Sequence, residues 1–407
     1  MAATANPFRT LAKHRNFRLF WGGQTLSLIG TWMQKMAVGW LALELTNSAF
    51  MVGLVAAASS LPILLFSFYA GVVVDRSDKL RLVRITQVLL LVEASMLWAM
   101  TATGHITIGW VLALATFNGL VSSLEIPARQ SLVIELVGRD DLHDAIALNS
   151  SGFNLARVVG PGISAAVIAQ LGMAWCFGVN AISYLAVLVG LFMIRLPAWV
   201  PDRSITTTPI EGIVEGFRYM RGTPFVWSLI KLVAVYSVLG VPYLTLMPVV
   251  ARDILHLGAG GYGLLLSSVG IGGLLGALWL AAQGDAFPRG RLLSVSSSSF
   301  AGLLVLFALV RTPTIAVVML FAIGFFMIVN SALANSLLQA AVPDEMRGRL
   351  MAAYSFIVVG LGQVLGSLLG GSIGRVIGVD WAIGITAAVM LGYTLWAFRA
   401  RPELRVP

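Results

Sequence analysis

Charged residues are scarce in this sequence of 407 residues, of which they make up 11%. A soluble domain carries about 25% charged residues, so there are too few here to cover a soluble surface of this size. Hydrophobic residues make up 58%, and lipid is therefore expected to be the main solvent of the folded chain. The composition excludes a soluble globular protein and predicts an integral membrane protein.

Cysteine and histidine are almost absent. Cys176 is the single cysteine and lies in an apolar run, which excludes an intrachain disulfide. The four histidines fall in tails or loops, and neither they nor the acidic residues have catalytic or metal-binding spacing. A Walker-type phosphate loop is absent as well. These absences predict no metal, no cofactor and no enzyme activity, so any transport would draw its energy from an ion gradient.

The net charge is +9. Such an excess can indicate nucleic acid binding, but here the basic residues are dispersed among hydrophobic stretches, so no nucleic acid partner is expected. No cleavable signal peptide is evident. The first apolar run is long enough to span a bilayer and more spans follow it, so it is predicted to be a membrane anchor.

Twelve segments have the roughly 20 mostly apolar residues that a spanning helix needs. They predict an all-α membrane protein of twelve transmembrane helices. The predicted spans, in chain order, are residues 19–43, 50–74, 82–103, 107–126, 145–170, 174–195, 225–250, 261–283, 292–310, 313–336, 350–374 and 379–398.

The distribution of basic residues predicts the orientation, because lysine and arginine are retained on the cytoplasmic side. With the amino terminus inside, 21 of the 27 basic residues lie in cytoplasmic segments. The outer loops hold Arg252, Arg311 and Arg375, and three more lie within spans. Both chain termini are therefore predicted to be cytoplasmic.

A short charged loop between spans 2 and 3 has a counterpart about 210 residues later. Asp75 and Lys79 correspond to Asp285 and Arg289 at that interval. Such an internal repeat predicts two six-helix bundles related by a pseudo-twofold axis. The expected divisions are a cytoplasmic tail (1–16), the first bundle (17–196), a linker with an amphipathic helix (197–224), the second bundle (225–398) and a second cytoplasmic tail (399–407).

The charged loop resembles the signature loop of the major facilitator superfamily. It reads Gly71-x-x-x-Asp75-Arg76-x-x-Lys79-x-Arg81, with Asp78 at the place of the usual glycine. The resemblance implies that this loop, with Asp285 in the second half, acts as a cytoplasmic gate whose carboxylate binds the amino-terminal end of span 11. The alternative is that these charges only set the topology.

Further stretches are similar to the branch of this superfamily that contains the enterobactin and macrolide exporters, the transmembrane secretion effectors. They are residues 16–19 (NFRL), 127–132 (PARQSL) and 154–162 (NLARVVGPG). This resemblance implies a multi-pass protein of the bacterial inner (plasma) membrane, expected to be a monomer in the lipid bilayer. In this chain Gly160, Pro161 and Gly162 resemble part of the antiporter motif of drug–proton exchangers. Glycine next to proline lets a helix bend.

Polar residues follow helical spacing on spans 1, 4 and 5, which places each set on one face. Such faces predict the wall of a water-accessible cavity for substrate and protons, although polar packing between helices is the simpler explanation. Arg157 could bind an anionic group of the substrate or pair with Glu125, the first candidate proton carrier. The predicted cavity residues are Gln24, Thr31, Lys35, Asn118, Glu125, Asn154 and Arg157.

Small residues recur at every fourth position of span 11. Gly362, Gly366, Gly370 and Gly374 form a ridge that is expected to pack closely on another span, most simply within the same bundle.

The sequence thus predicts a secondary transporter for a small molecule. The basic residues within the spans slightly outnumber the acidic ones, which favours an anionic or amphipathic cargo. A proton-coupled exporter of a siderophore, macrolide or drug-like molecule is the first hypothesis. The alternatives are a lysophospholipid flippase or organic-anion importer of the same fold, and, outside transport, a membrane scaffold, sensor or membrane-embedded enzyme.

Overall fold

The computed structural model describes residues 8–197, 209–283 and 287–404. This part of the chain is helical and contains no β-strand. Eleven of its helices are long and apolar enough to cross a membrane. A twelfth, Arg15–Thr46, has 32 residues and buries Gln24, Ser27 and Gln34, which lower its mean hydropathy. The prediction of an all-α protein with twelve spanning helices is confirmed.

Ten of the twelve spans are regular helices. Numbered by span in chain order, these are spans 1 to 6 (Arg15–Thr46, Ala49–Asp75, Lys79–Ala102, Ile108–Val137, Leu142–Leu171 and Ala174–Met193), spans 8 to 10 (Ala259–Gln283, Arg289–Phe307 and Pro313–Ala340) and span 12 (Val379–Ala400). Short helices at Phe8–Lys13, Pro209–Gly222 and Pro402–Leu404 lie outside the spans.

Spans 7 and 11 are irregular. Span 7 begins as the helix Pro224–Leu239 and continues through the short helices Pro242–Thr245 and Met247–Val249 into a π-helix, Val250–Ile254. Pro242 and Pro248 lack the N–H that an uninterrupted helix would use, which accounts for the breaks. Span 11 consists of Asp344–Ser355, a π-helical stretch at Phe356–Gly362 and Gln363–Ile377.

Local side chains set the tight turns between spans. Asn47 ends span 1 in the left-handed conformation (φ 49°), and the hydroxyl of Ser48 accepts a hydrogen bond from the Met51 N–H at the start of span 2. Asp78 caps span 3, because its Oδ1 accepts the Arg81 N–H at 3.0 Å. An N-cap prefers Asp over most residues, which explains why this loop departs from the usual glycine at that position.

Helix packing repeats between the two halves. Span 2 packs on span 4, span 1 on spans 5 and 6, and span 3 on span 6. In the second half, span 8 packs on span 10, span 7 on spans 11 and 12, and span 9 on span 12. Adding six to each number converts one set into the other, so the two six-helix bundles are related by a pseudo-twofold axis as predicted.

The glycine ridge of span 11 packs within its own bundle, on span 7. A β-carbon placed on Gly362 would lie 2.5 Å from the Ser237 side chain, and one on Gly370 would lie 2.8 Å from Pro242. Side chains at these positions would separate the two helices. The expectation of close packing by this ridge is confirmed.

The halves meet through two symmetry-related pairs of helices, span 5 with span 8 and span 2 with span 11. Both contacts are close because glycine lies at each. Gly263 of span 8 lies against Pro161 and Ala165 of span 5, and Gly53 of span 2 lies against Gly371 of span 11. We call the end of the bundle that holds the loops after spans 2 and 4 the basic end, and the other the outer end.

Candidate functional site

The two halves are joined at the outer end. Trp40 of span 1 stacks on Tyr262 of span 8, with ring centroids 5.7 Å apart. Arg252 of span 7 donates from Nη1 to the Asn47 Oδ1 at 2.8 Å and to the Leu43 carbonyl oxygen at 3.4 Å. These contacts tie the end of span 1 to spans 7 and 8, so no passage is open between these three spans at the outer end.

A cavity of about 510 Å³ separates the halves towards the basic end. It lies between span 5 of the first half and spans 8 and 10 of the second. Its lining residues on span 10 belong to the last four turns of that helix, which ends at Ala340. The lining residues are Asn154, Ala277, Ile328, Ser331, Ala332, Asn335, Ser336 and Gln339.

Polar but uncharged side chains dominate the wall on span 10. Asn335 and Gln339 hydrogen-bond to each other, and Arg289 donates from Nη1 to the Ser336 hydroxyl at 3.2 Å. None of the cavity-lining residues in the described part of the chain is acidic. The wall therefore offers amide and hydroxyl groups next to an arginine.

Arg157 lies one turn beyond Asn154 on the same face of span 5. Its Nε and Nη2 are buried and have no hydrogen-bond partner among the residues that the structure describes. A β-carbon on Gly273 of span 8 would lie 2.8 Å from Nη2 and 2.9 Å from Ile328, which itself lines the cavity. The guanidinium is thus held between the halves, next to the cavity. Unpaired buried N–H groups of a cation are costly, and an anion placed at this edge of Arg157 could accept hydrogen bonds from both of them.

The other predicted cavity residues lie elsewhere. Gln24 is buried, and no described residue hydrogen-bonds to its Oε1. The Thr31 hydroxyl bonds to the Ser27 carbonyl oxygen at 2.9 Å. Lys35 is exposed, with its ammonium 5.0 Å from the centre of the Trp32 ring. Of the seven predicted residues, Asn154 alone is among those lining the described cavity.

Glu125 is paired with Arg129, one turn further along span 4. Arg129 Nε donates to Glu125 Oε1 at 2.8 Å, and Gln87 of span 3 donates to the same oxygen at 3.3 Å. The residue Glu125 is 5% exposed. Glu125 is therefore paired with Arg129 in this structure and not with Arg157, although a pair with Arg157 was one of the two roles predicted for that arginine.

A second buried carboxyl group, Glu93 of span 3, is surrounded by amide side chains. The Gln34 side-chain amide donates to both of its oxygens, at 3.0 and 2.9 Å, and Asn118 donates to Oε2 at 3.3 Å. Gln34 in turn accepts a hydrogen bond from Asn180 at 2.8 Å. The network joins spans 1, 3, 4 and 6 inside the first half.

The predicted gate residues lie at the basic end. Asp75, Arg76 and Arg81 are exposed, and a β-carbon on Gly71 would have no neighbour within 4 Å. Asp75 accepts no hydrogen bond from the residues that the structure describes. Lys79 pairs with Glu135 at the end of span 4, at 3.2 Å. Asp285 lies outside the described residues.

The glycine-proline motif lies where three spans cross. Span 5 is one continuous helix with Pro161 inside it. A β-carbon on Gly160 would lie 2.6 Å from Trp32 of span 1, and one on Gly162 would lie 3.3 Å from the Ser267 hydroxyl of span 8. The motif therefore brings span 5 close to span 1 of its own half and to span 8 of the other half.

Two pseudo-symmetric six-helix bundles around a polar cavity define a membrane transporter of the major facilitator superfamily. Within this superfamily the chain belongs to the transmembrane secretion effector family, whose model matches residues 3–404. The resemblance drawn from the charged loop and from residues 16–19, 127–132 and 154–162 is confirmed. The family consists of transporters rather than enzymes, and the protein is a multi-pass membrane protein.

Characterised relatives are similar over most of their length. The staphyloferrin A transporter of Staphylococcus aureus is 27% identical over 357 residues, 86% of this chain and 88% of that protein. The multidrug efflux pump Tap of Mycolicibacterium fortuitum is 27% identical over 358 residues, 86% and 87% of the two chains. The enterobactin exporter EntS of Citrobacter koseri is 23% identical over 364 residues, 89% and 86%.

A solved structure has the same fold. The bacterial homologue of the human lysosomal transporter Spinster, in an inward-facing and occupied conformation, superposes with a TM-score of 0.75 at 14% identity, covering 99% of both chains.

Proposed function

We propose that this protein is a proton-coupled exporter that moves an anionic or amphipathic organic molecule across the bacterial inner membrane by alternating access. The observation that carries the proposal is the edge of Arg157 between the halves, which has no partner among the described residues and lies beside a polar cavity whose described lining contains no carboxylate. The relatives named for siderophore transport and multidrug efflux support an organic cargo.

The chemistry of Arg157 favours an oxygen anion. Nε and Nη2 lie on the same edge of a guanidinium, the arrangement that binds a carboxylate through two parallel hydrogen bonds. Asn154 and the amides of span 10 can then bond to further polar groups of the cargo. A cationic drug would meet no compensating acid among the residues that line the described cavity.

We infer that the basic end is cytoplasmic, because the sequence assigns 21 of the 27 basic residues to the loops and tails predicted for this side. The cavity then opens towards the cytoplasm while the contacts of Arg252 and Trp40 close the outer side. An exporter loads its cargo in such a conformation.

In this proposal the loop after span 2 forms the cytoplasmic gate when the cavity turns outward. Asp75 would then bind the amino-terminal end of span 11, where the helix dipole favours a carboxylate. Its exposure in the present conformation fits a contact that forms in only one of the two states. The proposed gate residues are Gly71, Asp75, Arg76, Lys79, Arg81 and Asp285.

The test is substrate-dependent proton movement in vesicles that contain the purified protein. The panel holds siderophores, macrolides and lysolipids, and the last group would reveal a lipid flippase instead. Arg157→Ala should weaken binding of an anionic cargo roughly 10- to 150-fold, the effect of losing a hydrogen bond to a charged group. Lys231→Ala is the matched control, because that cation lies on the Trp227 ring of span 7.

Equal loss in both variants, or normal transport by Arg157→Ala, would refute the role of Arg157. A cargo without an anionic group would refute the proposed substrate class.

A further inference from the structure

Glu93 is the most deeply buried carboxylate in the described part of the membrane-spanning region. It is 1% exposed and is the fifteenth residue of the 24-residue span 3, near the middle of that helix. A charge at this depth is costly and usually has a function. Neither the cavity nor the gate uses this residue.

The partners of Glu93 are neutral amides. Three N–H···O contacts reach it from Gln34 and Asn118, and no basic side chain of the described residues pairs with it. Burial without a cation favours the neutral acid, whereas N–H donors favour the carboxylate. These opposing effects leave the group sensitive to small changes in the positions of its donors.

The surrounding spans bring few titratable groups. Span 6 contributes Tyr184 and Cys176, whose thiol is hydrogen-bonded to the Ser164 hydroxyl of span 5. Span 2 has no titratable residue before Tyr69. Span 4 contributes Glu125, already paired with Arg129. Span 1 contributes Lys35, whose ammonium lies over Trp32.

Resting on the proton coupling proposed above, we propose that Glu93, held by Gln34 and Asn118, is the proton-binding carboxyl group of this transporter. The same network can report its protonation. A protonated Glu93 has an O–H that needs an acceptor, whereas Gln34 presents only its N–H₂. Rotation of the Gln34 amide would supply the acceptor and would break its bond from Asn180 of span 6.

Span 1 connects the protonation of Glu93 to the cavity. Gln34 lies on the face of span 1 that is turned to spans 3 and 6. Trp32, two residues earlier, contacts Gly160 of span 5, one turn beyond Arg157. A shift of span 1 upon protonation therefore reaches the helix that carries Asn154 and Arg157.

Polar groups on span 4 offer the proton a route to the basic end. The Ser122 hydroxyl donates to Asn118 Oδ1 at 3.4 Å, and Glu125 with Arg129 continues the same face. Together these residues extend about 16 Å along the helix. Residues at three- and four-residue intervals lie on one side of a helix, which makes the row continuous.

The second half has a counterpart of the Gln87–Glu125 contact that contains no acid. The Ser297 hydroxyl of span 9 donates to Asn330 Oδ1 of span 10 at 2.8 Å. Ser297 lies 210 residues after Gln87, the offset of the internal repeat, and Asn330 lies on span 10, the counterpart of the span that carries Glu125. Asn330 therefore serves as a control for the loss of a buried polar contact that contains no carboxyl group.

The experiment is infrared spectroscopy of the protein in vesicles without cargo, between acidic and alkaline pH. The difference spectrum between the wild type and Glu93→Gln should contain a protonated-carboxyl band that disappears on titration, while Asn330→Ala keeps the wild-type band. Asn118→Ala removes one donor to the carboxylate, so the band should persist to higher pH. The Asn118→Ala variant keeps Glu93 itself in place.

An unchanged band in Glu93→Gln would overturn the inference, as would full proton coupling of that variant in the transport assay. Replacement of sodium by choline should leave the titration unchanged, and a band that follows sodium instead would also overturn it. The readout needs no cargo. If the band behaves as expected but no compound on the panel is transported, the proposed function fails while the proton site stands.

Discussion

Gly263 of span 8 is the position where one added methyl group should change the balance between conformations. A β-carbon there would lie 2.6 Å from the Pro161 carbonyl oxygen and from the Ala165 β-carbon, whereas ordinary contacts begin at 3.4 Å. Both neighbours are backbone or directly attached to it, so they cannot rotate away. Spans 5 and 8 must separate, and this contact belongs to the side that is closed here.

The size of the effect follows from overpacking, which typically costs about 1–3 kcal/mol. In Gly263→Ala this cost falls on the conformation in which the outer end is closed. A difference of that size changes the ratio of two conformations by about 5- to 150-fold. We therefore expect the variant to favour the outward-open state and to present its cavity less often at the basic end.

Distances between pairs of spin labels measure this shift. One pair, at Leu171 and Gly258, reports the outer ends of spans 5 and 8. The other, at Asp140 and Ala282, reports their basic ends. All four positions are exposed, and the buried native thiol is removed by Cys176→Ser. In Gly263→Ala the outer distance should increase and the basic distance should decrease.

Gly260→Ala on the same span is the control, because nothing lies within 4 Å of a β-carbon at that position. The reasoning is wrong if both variants give the same distances, or if both distances increase together in Gly263→Ala. The latter result would indicate loosened halves instead of alternating access.

Three further predictions follow from contacts at the two ends. Arg252→Ala removes the hydrogen bond to Asn47, so the outer label pair should lengthen; an unchanged distance would show that the contact is dispensable. Asp75→Asn should reduce transport while membrane insertion stays normal, and full transport would leave only a topological role for this charge. Hydrogen bonds from His14, then Lys13, hold the pKa of the Asp141 carboxyl below its usual value. The contact of Asp141 with His14 and Lys13 therefore stabilises the protein at neutral pH, and this stabilisation is lost as the pH falls through the lowered pKa. The helix Phe8–Lys13 should then become more sensitive to protease at acidic pH. A sensitivity that does not change with pH would contradict this prediction.

The architecture could be predicted from the sequence because it depends on local properties. Hydrophobic length identifies a span, and the repeat of the charged loop reveals the two halves. The glycine ridge of span 11 was interpretable for the same reason, since its spacing alone defines a flat face. The bounds were less predictable: the helix of span 4 extends to Val137, well beyond the predicted 126, because a helix can continue past the apolar core.

The partners of polar side chains were harder to predict. Spacing places Asn154 and Arg157 on one face of span 5, but the rotation of span 4 relative to it decides which cation meets Glu125. The nearer Arg129, one turn away on the same helix, is that partner. The cavity wall on span 10 includes Ser331, Asn335 and Gln339, which follow one another at four-residue intervals. Uncharged residues give a weaker sequence signal than a charge within a span, so this wall was not predicted.

The cavity wall on span 10 lies apart from the surfaces through which the two halves meet, and this separation has an evolutionary consequence. Span 10 lines the cavity but packs mainly on spans 7, 8 and 9 of its own half, whereas the halves meet through spans 2, 5, 8 and 11. Substitutions at Ser331, Asn335 or Gln339 can therefore accumulate without disturbing the moving contacts. We expect relatives of this chain to differ in cargo through substitutions on this one helix. A library of variants at these positions of span 10 is therefore the most direct way to change the selectivity.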